Sequence, residues 1–282
     1  MNRIFLLIAV LSFIIFMGSK PYDYLSRLEI DWVEIPAGEF LFSSLNDTTI
    51  INYNYSISNS EITNKQYLKF LNFALRKNKI TIRGNQVIGY YNGDEIYSKG
   101  VYTLFYFTDN PGSEDIFKYN GYKFSLIKDT LWQNHPVKFV TWFGATAFAD
   151  FFGLRLPTNL EWEKAARGLD DSTYPWGNVI GSRYANYFDS TDPFDNGTSP
   201  VKFFDGEINY NFTTQDNSSI FGVYDMVGNV SEWTNSFSEL YQNYRIFRGG
   251  SWRNDEDDFV VYLIGEGGPE LATNYIGFRC VK

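Results

Sequence analysis

The chain has 282 residues, 44% of them hydrophobic and 20% charged, a balance that belongs to folded globular proteins and not to disordered ones. A formal net charge of -9 leaves no excess of Lys and Arg to neutralise phosphates, which argues against nucleic acid as a partner. The single cysteine, Cys280, excludes an intramolecular disulfide, and the single histidine, His135, excludes three-histidine metal sites, Cys/His zinc sites and a Ser-His-Asp triad. Aromatic content of 19% suits an irregular core filled by large rings, and equally a surface that binds carbohydrate or protein.

Met1-Asn2-Arg3 precedes an almost unbroken apolar run, Ile4 to Met17, with the length of a signal-peptide core. Residues 1–20 are expected to be either a cleaved signal peptide or a retained N-terminal membrane anchor, and either one implies export. No cysteine follows the run, so attachment as a bacterial lipoprotein is excluded. Trp32 to Ile35 and Gly38 to Phe42 read as two short strands broken by Pro36-Ala37-Gly38. Thr63 and Gln66 form a capping-box signature, with Tyr67, Phe70, Leu71 and Ala74 at helical spacing behind it, predicting a helix from about Asn64 to Arg76. Between 80 and 132, alternating Tyr, Val, Ile and Phe with the turn pairs Asn92-Gly93 and Asn120-Gly121 predicts an insertion rich in β-hairpins.

His135 to Val140 reads as a strand running into a helix capped by Thr141, with Ala145, Phe148, Ala149 and Phe152 as its buried stripe and Gly153 as its stop. His135, extended and followed by Pro136, is read as a structural histidine. A second capping box, Thr158 with Glu161, opens a helix that runs to Gly168, and it assigns Glu161 to capping and not to acid catalysis. Beyond it periodicity is lost. Asn186 to Asn196 is rich in Asp and Asn and could hold a cation, and Phe247 to Trp252 and Ile276 to Cys280 read as closing strands.

The stretch Phe221 to Trp233 fits neither an amphipathic helix nor an alternating strand. Gly228-Asn229 is a turn signal, and Asp225 and Glu232, with carbonyls exposed by the turn, are the hard oxygen donors calcium prefers. A polar turn between core strands is the other reading of the same residues. Tryptophans and glycines crowd the flanking segments, which marks the stretch as the knot of a core.

Taken in order, WVEIPAGEF, SEITNKQYLKFLN, HPVKFVTW, RLPTNLEWEKAARG, YPWGN, YDMVGNVSEWT, FRGGSW and GFRC resemble the formylglycine-generating enzyme family, the sulfatase-modifying-factor domain. The resemblance runs from Trp32 to the C-terminus and implies one α+β domain over 30–282, related to C-type lectins, with little regular secondary structure and bound calcium. It places one calcium on Asp225, Gly228, Val230 and Glu232, and a second on Asn186, Tyr187, Asp192 and Phe194, the last two only if one residue is inserted.

Catalytic members of that family follow Gly-Gly-Ser with two cysteines that bind copper(I). Here Asn254 and Phe259 stand in those places, so copper is not expected and oxidation of a substrate cysteine by that route is not supported. Cys280 matches a frequent cysteine of the terminal motif, which is not a redox residue. The resemblance therefore implies an exported, non-catalytic module of the cell envelope that binds a protein or glycan near Ser251, Trp252, Arg253 and Asn254, beside the acidic run Asp255 to Asp258. The alternative is a formylglycine-type oxidase or related protein-modifying enzyme with a rearranged site.

Overall fold

A computed structural model describes residues 24–107, 116–127, 129–194, 196–255 and 260–282. The apolar run of Ile4 to Met17, Phe259 and the acidic residues Glu256 to Asp258 lie outside the described residues. Among the described residues no helix is long and apolar enough to cross a membrane.

The architecture is a single α+β domain of many short strands and a few helices. Strands β1 (Trp32–Ile35), β2 (Gly38–Phe42), β3 (Asp47–Ile51) and β4 (Tyr55–Ser58) form two antiparallel pairs, β1 with β4 and β2 with β3. The break at Pro36-Ala37 thus sends the two halves of one extended segment to different partners. Helix α1 (Asn64–Arg76) follows, and its predicted capping box is present in full, Thr63 accepting from the Gln66 amide while Gln66 accepts from the Thr63 amide. Strands β5 (Ile80–Arg83), β6 (Gln86–Tyr91) and β7 (Gly100–Tyr106) make a three-stranded meander, and β8 (Phe117–Tyr119) with β9 (Phe124–Leu126) makes a further hairpin across Asn120-Gly121. Asn92-Gly93 does not close a two-residue turn: it opens the longer loop between β6 and β7.

A short helix, α2 (Asp129–Trp132), leads to the segment from His135 to Val140. That segment is not the strand its sequence suggested. It holds only isolated bridges, Thr63 to Pro136 and Phe105 to Val140, because Phe139 turns into the left-handed region at φ 60° and breaks the run. Thr141 then caps α3 (Trp142–Phe151), accepting from the Gly144 amide at 3.0 Å. Gly144 lets α3 lie directly on β7, since a Cβ there would sit 1.9 Å from the Leu104 carbonyl oxygen. Helix α4 (Asn159–Arg167) carries the second capping box, Thr158 with Glu161, and Glu161 is also clamped by Arg155 at 2.5 and 2.6 Å.

A small hairpin, β10 (Ile208–Asn209) with β11 (Phe212–Thr213), precedes the main sheet. That sheet comprises β12 (Ser231–Phe237), β13 (Arg245–Arg248), β14 (Ile264–Gly267) and β15 (Ile276–Phe278) in the order β14-β13-β12-β15, with β15 parallel to β12 and the other pairs antiparallel. Strand alternation divides β12 between two cores. Trp233 joins the cluster of α1, α3 and the hairpins, while Glu232 on the opposite face meets Trp162 of the second cluster, built around α4 and β1 to β4. In that second cluster Glu163 accepts from Arg167 at 2.7 Å and from Arg248 at 2.5 Å, all three buried.

His135 is enclosed, with Nδ1 3.1 Å from Thr198 Oγ1 and its ring against Trp132. Burial lowers its pKa to about 4, partly opposed by the bond to Thr198. The folded state therefore binds fewer protons than the unfolded one, whose histidine titrates near 6.5, and stability present above pH 6.5 is lost as pH falls toward 4. Urea denaturation of the wild type and His135→Gln at pH 7 and pH 4 should show the wild type losing roughly 3 kcal/mol more than the variant. Parallel pH profiles would mean the imidazole is not held neutral by the fold.

Candidate functional site

The unusual stretch before β12 is a buried knot, with every residue from Asp225 to Thr234 enclosed. Asp225, Gly228 and Asn229 take left-handed φ angles of 55°, 87° and 58°, which is how so polar a run turns inside a core. Gly228 also lies against the Asn186 carbonyl oxygen, where a Cβ would be only 2.7 Å away. Asn229 joins four segments. Its amide N–H donates to Asn186 O at 2.8 Å, its Nδ2 donates to Glu61 Oε1 at 2.9 Å, its Oδ1 accepts from Ser199 N at 3.0 Å, and its carbonyl accepts from Trp252 N at 3.0 Å.

Three carboxylates converge here. Glu232 is fully buried and both its oxygens are taken: Arg279 donates from Nε at 2.6 Å and Nη2 at 2.7 Å, and Trp162 Nε1 donates at 2.7 Å. Arg279 spends its remaining hydrogens on the carbonyls of Ser58 at 3.1 Å and Tyr224 at 2.9 Å. Asp225 accepts from the Lys202 amide at 2.5 Å and from Asn217 Nδ2 at 3.0 Å. Glu61 accepts from Asn229, while its Oε2 is enclosed without a hydrogen-bond partner. Burial, with the negative charges of Asp225 and Glu232 beside it, pushes the Glu61 carboxyl well above the usual carboxylate range, and burial raises Asp225 as well. One guanidinium faces three carboxyl groups, so Glu61 and Asp225 lack a cation of their own, and both are shifted toward the protonated form.

The second sequence-predicted cation pattern lies alongside. Asn186 is buried, donates from Nδ2 to Gly197 O at 2.8 Å, and keeps Oδ1 enclosed with no partner. Asp192 is turned onto its own loop, Oδ1 accepting from Phe194 N at 2.6 Å and Oδ2 from Ser190 Oγ at 2.6 Å. The carbonyls of Tyr187 and Phe194 accept from Ser190 N at 3.2 Å and Gly197 N at 3.0 Å. The structure thus brings Asn186 against Gly228 and Asn229, and gathers Asp192 and Phe194 in one turn. Glu61 Oε2 and Asn186 Oδ1 are enclosed without donors, and among the described residues no group of three or more His, Cys, Asp or Glu side chains is arranged to hold a metal ion. Glu232, closed by Arg279 and Trp162, is not a free ligand in this arrangement, and Asp225 already accepts two hydrogen bonds.

After β13 comes the stretch where the resemblance locates catalysis. Ser251 is buried, and its amide and Oγ both donate to Asn254 Oδ1 at 2.9 Å, while the Asn254 amide returns a bond to Ser251 O at 3.0 Å. The Asn254 carbonyl accepts from Phe188 N at 2.9 Å. Asn254 is therefore committed to closing a turn. Trp252 is half-buried, with Nε1 donating to Asn274 O at 3.1 Å. Exposed Arg253 lays its guanidinium 5.7 Å from the Trp252 ring centroid and 5.4 Å from that of Tyr275. Cys280 is buried, and burial pushes its thiol far above the ordinary range.

The model of the sulfatase-modifying factor enzyme 1-like domain matches residues 26–282. The chain belongs to that family. Among curated relatives, it is similar to the inactive C-alpha-formylglycine-generating enzyme 2 of Bos taurus, 36% identical over 162 residues, 52% of this chain and 50% of that protein. It is similar also to the serine/threonine-protein kinase Pkn1 of Chlamydia trachomatis, 34% identical over 175 residues, 56% of this chain and 26% of that protein. The chain thus spans from about a quarter to half the length of these relatives. Solved structures of CarF (TM-score 0.57, 22% identity, 90% of this chain and 98% of that one) and of PvdO from Pseudomonas aeruginosa (0.59, 18%, 89% and 93%) share the fold, which is C-type-lectin-like.

Glu61, Trp162 and Arg279 were not singled out in the sequence as members of this knot, and Asn229 was read only as part of its turn. The sole local hint for Glu61 is an acid two residues before a helix cap, in a polar stretch (Ser58-Asn59-Ser60) that gives no sign of its burial. Removing the guanidinium in Arg279→Met should cost roughly 3–5 kcal/mol in urea denaturation, because Glu232 is left charged and buried. The double variant Glu232→Gln/Arg279→Met should recover much of that loss. A single variant within about 1 kcal/mol of wild type would show that the pair does not hold the knot.

Proposed function

We propose that this chain is a non-catalytic family member, exported and held in the cell envelope, that uses a calcium-stabilised fold to bind or scaffold a protein or glycan. The observation that carries the reading is the Ser251–Asn254 turn. Where the resemblance puts the first copper-binding thiol, this chain has an amide whose oxygen is spent on backbone and hydroxyl donors. An amide oxygen is a poor ligand for copper(I), which selects soft thiolates. The one thiol present, Cys280, is buried behind Ser58 and held in its neutral form. Trp252 and Arg253, stacked and facing solvent beside that turn, are left as the surface for a partner.

Calcium at the knot is supported by its gathering of three carboxyl groups around one guanidinium and by the donor-less oxygens of Glu61 and Asn186. Asp225 and Glu61 would supply charge and Asn186 a neutral oxygen, and the ion would brace the fold with no part in a reaction. Export rests on the basic residue and apolar run at the N-terminus.

A second reading, an oxidase with a rearranged site, draws on similarity to active relatives such as the formylglycine-generating enzyme of Mus musculus, 30% identical over 175 residues. Copper(I) affinity separates the two. Competition between the full chain and a chromogenic chelator should reveal no tight site, or one that vanishes in Cys280→Ala. A tight site that survives Cys280→Ala would overturn the non-catalytic reading.

A further inference from the structure

Away from the knot, a cavity of about 440 Å3 opens between the loop that follows β6, one face of α3 and the far end of β12. Trp142, Thr146 and Asp150 line it from α3 at spacings of four residues, one stripe of the helix. Asn235 and Phe237 face them from β12, and it shares no residue with the Ser251–Asn254 turn.

Two cations line this cavity, and both are neutralised. Arg245 is sandwiched 3.7 Å from the Trp142 ring centroid and 3.6 Å from that of Phe237, and it is paired with Asp94. Asp94 in turn accepts from the amides of Ile96 at 2.8 Å and Tyr97 at 2.7 Å, which fixes the loop over the cavity. Arg155 is held by Glu161 through two bonds.

What stays unpaired is of the opposite kind. The carboxylate of Asp150 has neither ion-pair nor hydrogen-bond partner among the described residues, and the side-chain amide of exposed Asn235 has none, its backbone being bonded to Pro157 O at 2.8 Å and Arg245 Nη1 at 3.1 Å. Thr146 Oγ1, one turn before Asp150 on the same face, is enclosed and also without a partner. A second cavity of about 240 Å3, lined by Phe70, Ile80, Leu104, Ala147 and Phe151 and also by Lys79, meets the first at Asn92 and Asp150. An unpaired carboxylate thus stands where the two chambers meet, with the apolar wall of Phe70, Leu104, Ala147 and Phe151 on one side.

We propose that this cavity binds an organic cation, an ammonium on an alkyl stem such as a lysine side chain carries, with Asp150 as its counter-ion. Thr146 Oγ1 and the side-chain Oδ1 of Asn235 accept the remaining ammonium hydrogens, and the wall of Phe70, Leu104, Ala147 and Phe151 takes the methylenes. The site is separate from the Trp252–Arg253 surface and does not depend on it. The larger chamber, about 440 Å3, is in the range that accepts small ligands.

The full chain in mild detergent, probed by saturation-transfer NMR with N-acetyl-lysine methylamide, tests this. Binding should weaken as salt is raised, fall at least tenfold in Asp150→Asn, and fall severalfold in Thr146→Val. The neutral N-acetyl-norleucine methylamide and maltose should not bind. Asp150 is exposed and unpaired, so Asp150→Asn should melt as the wild type does. Equal binding of the norleucine derivative, undiminished binding to both variants, or binding of maltose in place of the lysine derivative would overturn the proposal.

Discussion

A single guanidinium, buried among three carboxylates, sets the conditions for the rest of this structure. Arg279 enters from the last strand and reaches Glu232 on β12, the Ser58 carbonyl at the end of β4 and the Tyr224 carbonyl at the mouth of the knot. Each contact joins a different part of the chain, and each is worth far more inside than in water because the groups have no solvent to fall back on. Glu61 and Asp225 share the same low-dielectric space without a guanidinium of their own. Their elevated pKa values express that shortage, which the proposed calcium would relieve.

Frame and chemistry come apart in this molecule. The knot around Asn229 connects Glu61, Asn186, Ser199 and Trp252, so the backbone that carries the Gly249-Gly250-Ser251 turn is fixed by bonds that involve no reactive group. A scaffold held this way can lose its thiols without losing its shape. The Ser251–Asn254 turn is that case: the residue that replaces the expected cysteine adds hydrogen bonds to the turn. Membership in the sulfatase-modifying factor family therefore fixes the architecture and leaves activity to be argued from individual residues.

What could be read from the chain alone was local. Thr63 with Gln66, Thr141, and Thr158 with Glu161 announce helix starts because each cap needs only residues within one turn. The polar run before β12 was also recognisable as a core turn, since Gly228-Asn229 permits positive φ. The pairing inside the knot was not legible. Glu61 and Asn229 are 168 residues apart and Arg279 and Ser58 are 221 apart, and no periodicity connects such positions. The same holds for Arg245 with Asp94, which shape the cavity beside α3 from 151 residues apart. Glu232 shows how chemistry leaves a role open: its oxygens and spacing suit a cation, while in the structure Arg279, just past the neighbouring strand β15, donates to both of them.

The most direct test of this account is the melting temperature of the full chain with calcium and after removal of divalent ions by a chelator. A cation that relieves the buried carboxylates binds the folded state alone, so stability should rise with calcium, by about 2.7 kcal/mol at a hundredfold excess over the dissociation constant. Magnesium, which prefers fewer and closer ligands, should raise it less. Identical melts with calcium and with chelator would contradict the account and leave Glu61 and Asp225 to be neutralised by protons.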